Sequence, residues 1–133
     1  MNEVPLGFIG LGNSPLAAPF KKVEAGTAEF QQVLDSHKHS SKENLIEELM
    51  KILKNKVKHF PDAELLMRRQ ETAERFSSIH VEMPEEGYGT RTRTIILVDE
   101  SGNVDYIEET MKSLDPDGEW EKTHLTIPKT TSL

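Results

Sequence analysis

Between Ser40 and Asn55 the apolar residues Leu45, Ile46, Leu49, Ile52 and Leu53 recur at helical spacing, opposite a polar face of Glu43, Glu47, Glu48, Lys51 and Lys54. That periodicity predicts an amphipathic helix ending near Asn55. Its start is marked by Ser40-Ser41-Lys42-Glu43, in which a Ser hydroxyl and a Glu carboxylate three residues apart satisfy each other's orphan amides. A shorter stripe of Phe30, Val33 and Leu34 predicts a helix over Ala28–Ser36 with Thr27 as N-cap. Residues 55–76 are mostly polar and read as an internal loop, with room for a turn or two of helix between Asp62 and Gln70.

After Phe76 the period falls from 3.6 to two. Ile79, Val81 and Met83 alternate with Ser78, His80 and Glu82, which predicts a half-buried strand over Ser77–Met83. Pro84 to Gly89 is a turn, and Thr90–Val98 is the strongest strand pattern in the chain, rich in β-branched residues. Its second half, Ile95-Ile96-Leu97-Val98, is apolar on both faces, as for a central strand covered on both sides. Asp99–Asn103 is a hairpin connection into a strand over Val104–Thr110. A turn follows at Leu114–Gly118, then a last strand over Trp120–Ile127 and a tail, 128–133, expected to fray. Near the start, Leu6–Leu11 is a short apolar run halted by Gly12-Asn13-Ser14-Pro15, which reads as a buried strand entering a tight turn. The order is one strand, two helices and an antiparallel meander of about four strands, which is an α+β fold.

Of the 133 residues, 35% are hydrophobic, enough for one domain-sized core. The net charge of −7 argues against a nucleic-acid partner, which calls for a basic field. Residues 1–60 carry eight Lys/Arg against seven Asp/Glu, whereas residues 61–133 carry eight against sixteen. The break falls near His59-Phe60-Pro61-Asp62 and reads as a loop inside a single domain over 1–133. Cysteine is absent, which removes thiolate nucleophiles and cysteine-ligated metal from these residues. No apolar run approaches the roughly 20 residues of a membrane span. Val4–Leu11 lacks the basic lead-in of a signal peptide, so a cytoplasmic chain is the default expectation.

Candidate chemistry is sparse. Gly10-Leu11-Gly12 begins like a dinucleotide fingerprint, but Pro15 occupies the third glycine position, so close packing at a turn is the simpler reading. His37 and His39 have spacing that suits two metal ligands on an extended segment, but they follow a predicted helix, where cations complement the dipole. His59, His80 and His124 are isolated, and Glu85-Glu86 and Glu108-Glu109 are poor acid–base pairs because neighbours on a strand face opposite ways. Two groups stand out. Asn13 sits in a glycine- and proline-framed turn, where a fixed amide either caps its own turn or donates to a ligand carbonyl. Thr90-Arg91-Thr92-Arg93-Thr94 carries two guanidiniums toward a strand about to be buried, which calls for internal carboxylates or an anionic ligand. Asn13, Thr90, Arg91, Thr92 and Arg93 are therefore the candidate ligand-binding residues, with no catalytic or metal-ligating set.

Gly87-Tyr88-Gly89-Thr90-Arg91-Thr92-Arg93-Thr94-Ile95-Ile96-Leu97-Val98-Asp99 resembles the signature of the transport and Golgi organisation 2 family, the NRDE-type proteins. The likeness extends to Glu108-Glu109-Thr110 and the Trp120-Glu121 strand, and upstream to Gly10-Leu11-Gly12-Asn13-Ser14 and Pro19-Phe20-Lys21-Lys22-Val23. The resemblance implies half of an αββα sandwich of the N-terminal-nucleophile-hydrolase type, matching the C-terminal half of the family domain. The Met-Cys start and the Asn-Arg-Asp-Glu motif of that family do not occur in this sequence. In the wider hydrolase class an Asn before a Pro helps form an oxyanion hole and a later Arg lies near the nucleophile. Asn13 and Arg91 are similar to those positions. The resemblance therefore implies a non-enzymatic intracellular protein of trafficking and homeostasis, associated with the Golgi or mitochondrion and acting in secretion. Its implied ligand is heme, as in the heme-responsive nematode branch, or a lipid-like acyl molecule. The alternative is the remnant of an amide hydrolase, inactive for want of the cysteine. If the chain is a half, apolar surface and open sheet edges should be exposed, favouring a homodimer or pairing with an N-terminal half.

Overall fold

In the computed structural model, which describes residues 7–130, the pattern after Ser40 folds as an amphipathic helix. This helix, α2 (Lys42–Leu53), is capped by Ser41, whose hydroxyl accepts from the Asn44 amide at 3.2 Å, one residue later than the predicted box. Leu49, Met50 and Ile52 are its buried residues, and it packs on α1 (Lys21–Ser36). Helix α1 starts seven residues before the predicted Ala28. Its N-cap, Phe20, has no acceptor side chain, so the first orphan amide, Lys21 N, donates instead to Asp62 Oδ2 at 2.7 Å. Thr27, expected as the cap, lies inside the helix and returns its hydroxyl proton to the Val23 carbonyl. Within the polar stretch 55–76, the short helix allowed between Asp62 and Gln70 forms as α3 (Ala63–Arg68), whose cap is the same Asp62, accepting from Leu65 N at 3.1 Å. One carboxylate, 2% exposed, thus starts two helices.

These helices belong to the first of two compact units, Met1–Val81. Phe20, Leu65 and Ala73 form a buried cluster there, with Val23, Leu66 and Phe76 packed against it. The strand expected over Leu6–Leu11 does not form among the described residues, and Leu6 lies outside them. Phe8, Ile9 and Leu11 stay exposed, and Phe8 meets Phe30 of α1 edge to face. The segment lies on a helix rather than beside a strand, so it has no ladder to join. The alternation over Ser77–Met83 also yields less strand than predicted. Ser77 and Ser78 turn their hydroxyls onto the carbonyls of Glu74 and His80, and the backbone pairs with the 55–59 segment through His59 N to Ser77 O and His80 N to Asn55 O. Only Glu82–Met83 remains extended.

The second unit, Glu82–Leu133, is built of strands. β1 (Glu82–Met83) and β2 (Tyr88–Gly89) form a small hairpin around a 3-10 turn at Pro84–Glu86. β3 (Thr92–Val98), β4 (Val104–Met111) and β5 (Trp120–Ile127) form an antiparallel meander in that order. The hairpin between β3 and β4 closes where the Asp99 carboxylate accepts from both the backbone and side-chain nitrogens of Asn103. Gly102 there takes the left-handed φ of 85° that the turn needs.

β3 is an edge strand, not the central one its apolar run suggested, because β4 takes the middle. Ile95 is 7% exposed, whereas Ile96 and Val98 on the opposite face are 59% and 66% exposed. Register places Ile96, Tyr106 and Leu125 in one row and Val98, Val104 and Ile127 in the next. The expected tail is held at Lys129, whose amide donates to Asn103 Oδ1, and residues 131–133 lie outside the described set. Among the described residues no helix is long and apolar enough to cross a membrane.

Candidate functional site

In the first unit, the segment before α1 is pressed onto the helix at two glycines. A Cβ on Gly10 would lie 2.1 Å from Thr27 Oγ1, and one on Gly12 would lie 2.7 Å from Val23 Cγ2, so only glycine permits this approach. The chain then turns at Asn13-Ser14-Pro15, where the Pro15 carbonyl accepts from Ala18 N. Arg68, from the end of α3, reaches back and donates from Nη1 to the Asn13 carbonyl at 2.6 Å. The turn is therefore held by its backbone. The Asn13 side-chain amide has no hydrogen bond among the described residues, and the Ser14 hydroxyl is buried without a partner.

This turn forms one wall of an open cleft of about 890 Å³, completed by Phe20, Leu65, Arg68 and Arg69. Its floor is apolar, since Phe20 and Leu65 are 5% and 3% exposed and belong to the buried cluster. Its rim is cationic. The Arg68 guanidinium lies 5.6 Å from the Phe20 ring centre and has a loose carboxylate neighbour, Glu64 Oε2 at 3.9 Å. Arg69 sits just past the helix end, its guanidinium 4.4 Å from the Phe76 ring centre, and has no carboxylate partner among the described residues. Nearby in this unit, Lys22 is held below the ordinary ammonium value, chiefly by burial and then by Lys58, against the opposing pull of Asp62.

Of the residues singled out by sequence, Asn13 lies in the first unit and Thr90, Arg91, Thr92 and Arg93 lie in the second. The two guanidiniums of the Thr-Arg ladder have different surroundings. Arg91 precedes β3 and is exposed, its carbonyl accepting from Met111 N. Arg93 is 8% exposed, pairs with Glu109 at 3.2 Å and stacks 3.6 Å from the Trp120 ring centre. Burial pulls the Arg93 guanidinium below its ordinary value, and Glu109 and then Glu82 oppose that pull. Thr90 is half-buried, and Thr92 bonds Thr110 across the ladder at 3.1 Å. On the same face, Glu108 accepts from the hydroxyls of Thr94, Thr110 and Tyr106.

Histidine chemistry is local. His37 is the C-cap residue of α1 and donates from Nδ1 to the Val33 carbonyl at 2.9 Å. His124 Nε2 meets the buried Asp105 carboxylate at 2.9 Å, beside the Thr126 hydroxyl on the same oxygen. Among the described residues no group of three or more metal-ligating side chains converges.

Arg68 and Arg69 went unnoticed in the sequence because they lie in a polar stretch without period. The signal that marks them is Asp62 followed by Leu65-Leu66, a cap and an apolar step, with the arginines at the helix end where cations are favoured.

The sequence profile of the family described as Transport and Golgi organisation 2 matches residues 1–113. The chain is 45% identical over 116 residues to Transport and Golgi organization protein 2 of Drosophila melanogaster, covering 87% of this chain and 41% of that protein. It is 33% identical over 113 residues to the Homo sapiens homolog, covering 82% and 40%. With the Bos taurus homolog it shares 31% identity over 121 residues, covering 88% and 43%. The chain thus spans about two fifths of the length of these relatives.

Proposed function

Because the chain belongs to the Transport and Golgi organisation 2 family, we propose that it acts without catalysis, binding and handing on a small ligand within the transport processes its relatives are named for. The ligand is heme or a lipid-like acyl molecule, and the setting is cytoplasmic, in association with the Golgi or mitochondrion. The observation that carries this reading is the cleft beside α1. It offers an apolar floor of Phe20 and Leu65 under a rim bearing the unbonded Asn13 amide, the arrangement that small-molecule sites share. Thr90, Arg91 and Thr92 are proposed as a second set of ligand contacts centred on exposed Arg91, while Arg93, the fourth residue of the ladder, is committed to Glu109. The non-catalytic part of the reading draws on chemistry rather than shape. A nucleophile needs a base within hydrogen-bond reach, and the Ser14 hydroxyl has no hydrogen-bond partner among the described residues.

The test is a titration of the purified chain with hemin, followed by its absorption band, and with palmitoyl-CoA, followed by calorimetry. A saturable one-site response to either is the expected result, weakened in Asn13→Ala. No response to both overturns ligand handling. Turnover of an acyl amide by the chain overturns the absence of catalysis.

A further inference from the structure

The geometry points to an anion subsite on the rim of the cleft, formed by Arg68 and Arg69 with Ser14 and Asn13, which takes the carboxylate or phosphate of an amphipathic ligand. It deepens the ligand-handling reading and, in its apolar half, rests on it.

Four observations converge there. Arg69 has its guanidinium over the Phe76 ring and no carboxylate partner among the described residues. Stacking fixes the plane of a guanidinium while leaving its edge donors free, which suits bidentate pairing with a carboxylate or phosphate. Arg68 uses Nη1 on the Asn13 carbonyl, and Glu64 at 3.9 Å is too distant for a short charge-assisted bond, so charge remains for a ligand. The Ser14 hydroxyl, in the cleft wall, is buried and unpartnered among the described residues, a state that costs free energy unless something accepts or donates there. Finally, the residues of the first unit sum to no net charge, eleven Lys/Arg against eleven Asp/Glu, so the cationic rim is not cancelled by an acidic surround.

The apolar floor adds a requirement. A small hydrophilic anion would satisfy the rim but leave Phe20 and Leu65 uncovered, whereas a molecule with an acid head and an apolar body would use both. Porphyrin carboxylates and acyl-carrier phosphates share that chemistry.

The experiment has two arms. Inorganic phosphate and acetate are titrated into labelled full chain, and backbone and guanidinium resonances are followed by NMR. The expected result is a saturable shift confined to residues 13–15 and the Arg68 and Arg69 side chains, lost in Arg69→Gln, partly restored in Arg69→Lys and kept in Lys38→Gln. The Arg69 side chain makes no hydrogen bond among the described residues, and its backbone bonds to Leu65 and Thr72 survive substitution, so the fold should stay intact, which the dispersion of the same spectra checks. Absence of the shift, or its persistence unchanged in Arg69→Gln, overturns the subsite.

The second arm compares palmitoyl-CoA, hemin and uncharged monopalmitoylglycerol. Arg69→Gln should weaken whichever acid ligand binds by roughly tenfold or more and leave the uncharged lipid unchanged. Equal weakening of the uncharged lipid overturns the head-group assignment. If neither acid ligand binds but the phosphate shift is present, ligand handling fails and the anion subsite stands.

Discussion

Both units set an arginine against an aromatic ring, yet the two side chains end in opposite conditions. In the strand-built unit Arg93 lies over Trp120 and is closed off by Glu109, which itself is 6% exposed and also meets Lys122. In the helical unit Arg69 lies over Phe76 on the wall of a cleft, with no carboxylate partner among the described residues. The charge ledger runs the same way. The chain's whole net charge of −7 belongs to residues 82–133, which hold five Lys/Arg against twelve Asp/Glu, while residues 1–81 balance. An arginine placed among many acids is taken up as internal structure, and one in a neutral setting keeps its charge for something else. Motif conspicuousness is therefore a poor guide to availability, since the Thr-Arg ladder is the more visible of the two sequences.

The largest effect expected from this contrast is at Glu109. Glu109→Ala strands a buried guanidinium and should cost about 3 kcal/mol, read as a lowered denaturation midpoint by the fluorescence of Trp120, the sole tryptophan. Pairing Glu109→Leu with Arg93→Met should recover much of that loss. Arg69→Gln should shift the midpoint by well under about 1 kcal/mol, and an equal loss at both arginines would break the comparison.

Next in size is Asp62. This carboxylate is as buried as Glu109, but it serves amides rather than a guanidinium, holding Lys21 N and Leu65 N together. Asp62→Ala should cost about 2 kcal/mol and reduce helix content by circular dichroism, with Asp62→Asn recovering part of it. The smallest effect concerns Tyr106. Its hydroxyl donates to Glu108, which holds the phenol above its ordinary value of 10.0, with burial and the Glu108 charge adding to the rise. A raised acid contributes stability that is whole below the ordinary phenol value and fades as pH climbs through it toward the folded one. Tyrosinate absorbance should move to lower pH in Glu108→Ala.

The elements legible in sequence are those whose cause is local. The face of α2, the strands β4 and β5, and the Asp99–Asn103 turn all follow from neighbours within a few residues, and the α+β class follows with them. What was illegible depends on distant groups. The start of α1 is set by an acid 41 residues away, β3 is an edge because β4 takes the middle, and the early apolar run lies on a helix. For the candidate site, the Asn13 turn was visible from its glycines and proline. Its facing arginines were hidden because a six-residue helix leaves no period to detect.

The outer side of the meander carries Thr92, Thr94, Glu108 and Thr110 toward one end and Ile96, Val98, Leu125 and Ile127 toward the other. At neutral pH the excess of carboxylates keeps neighbouring molecules apart in spite of that greasy corner. Near the isoelectric point of about 5.2 the mutual repulsion vanishes while the corner is unchanged. Colloidal behaviour should then be governed by four aliphatic side chains, and storage buffers for this protein belong well above that pH.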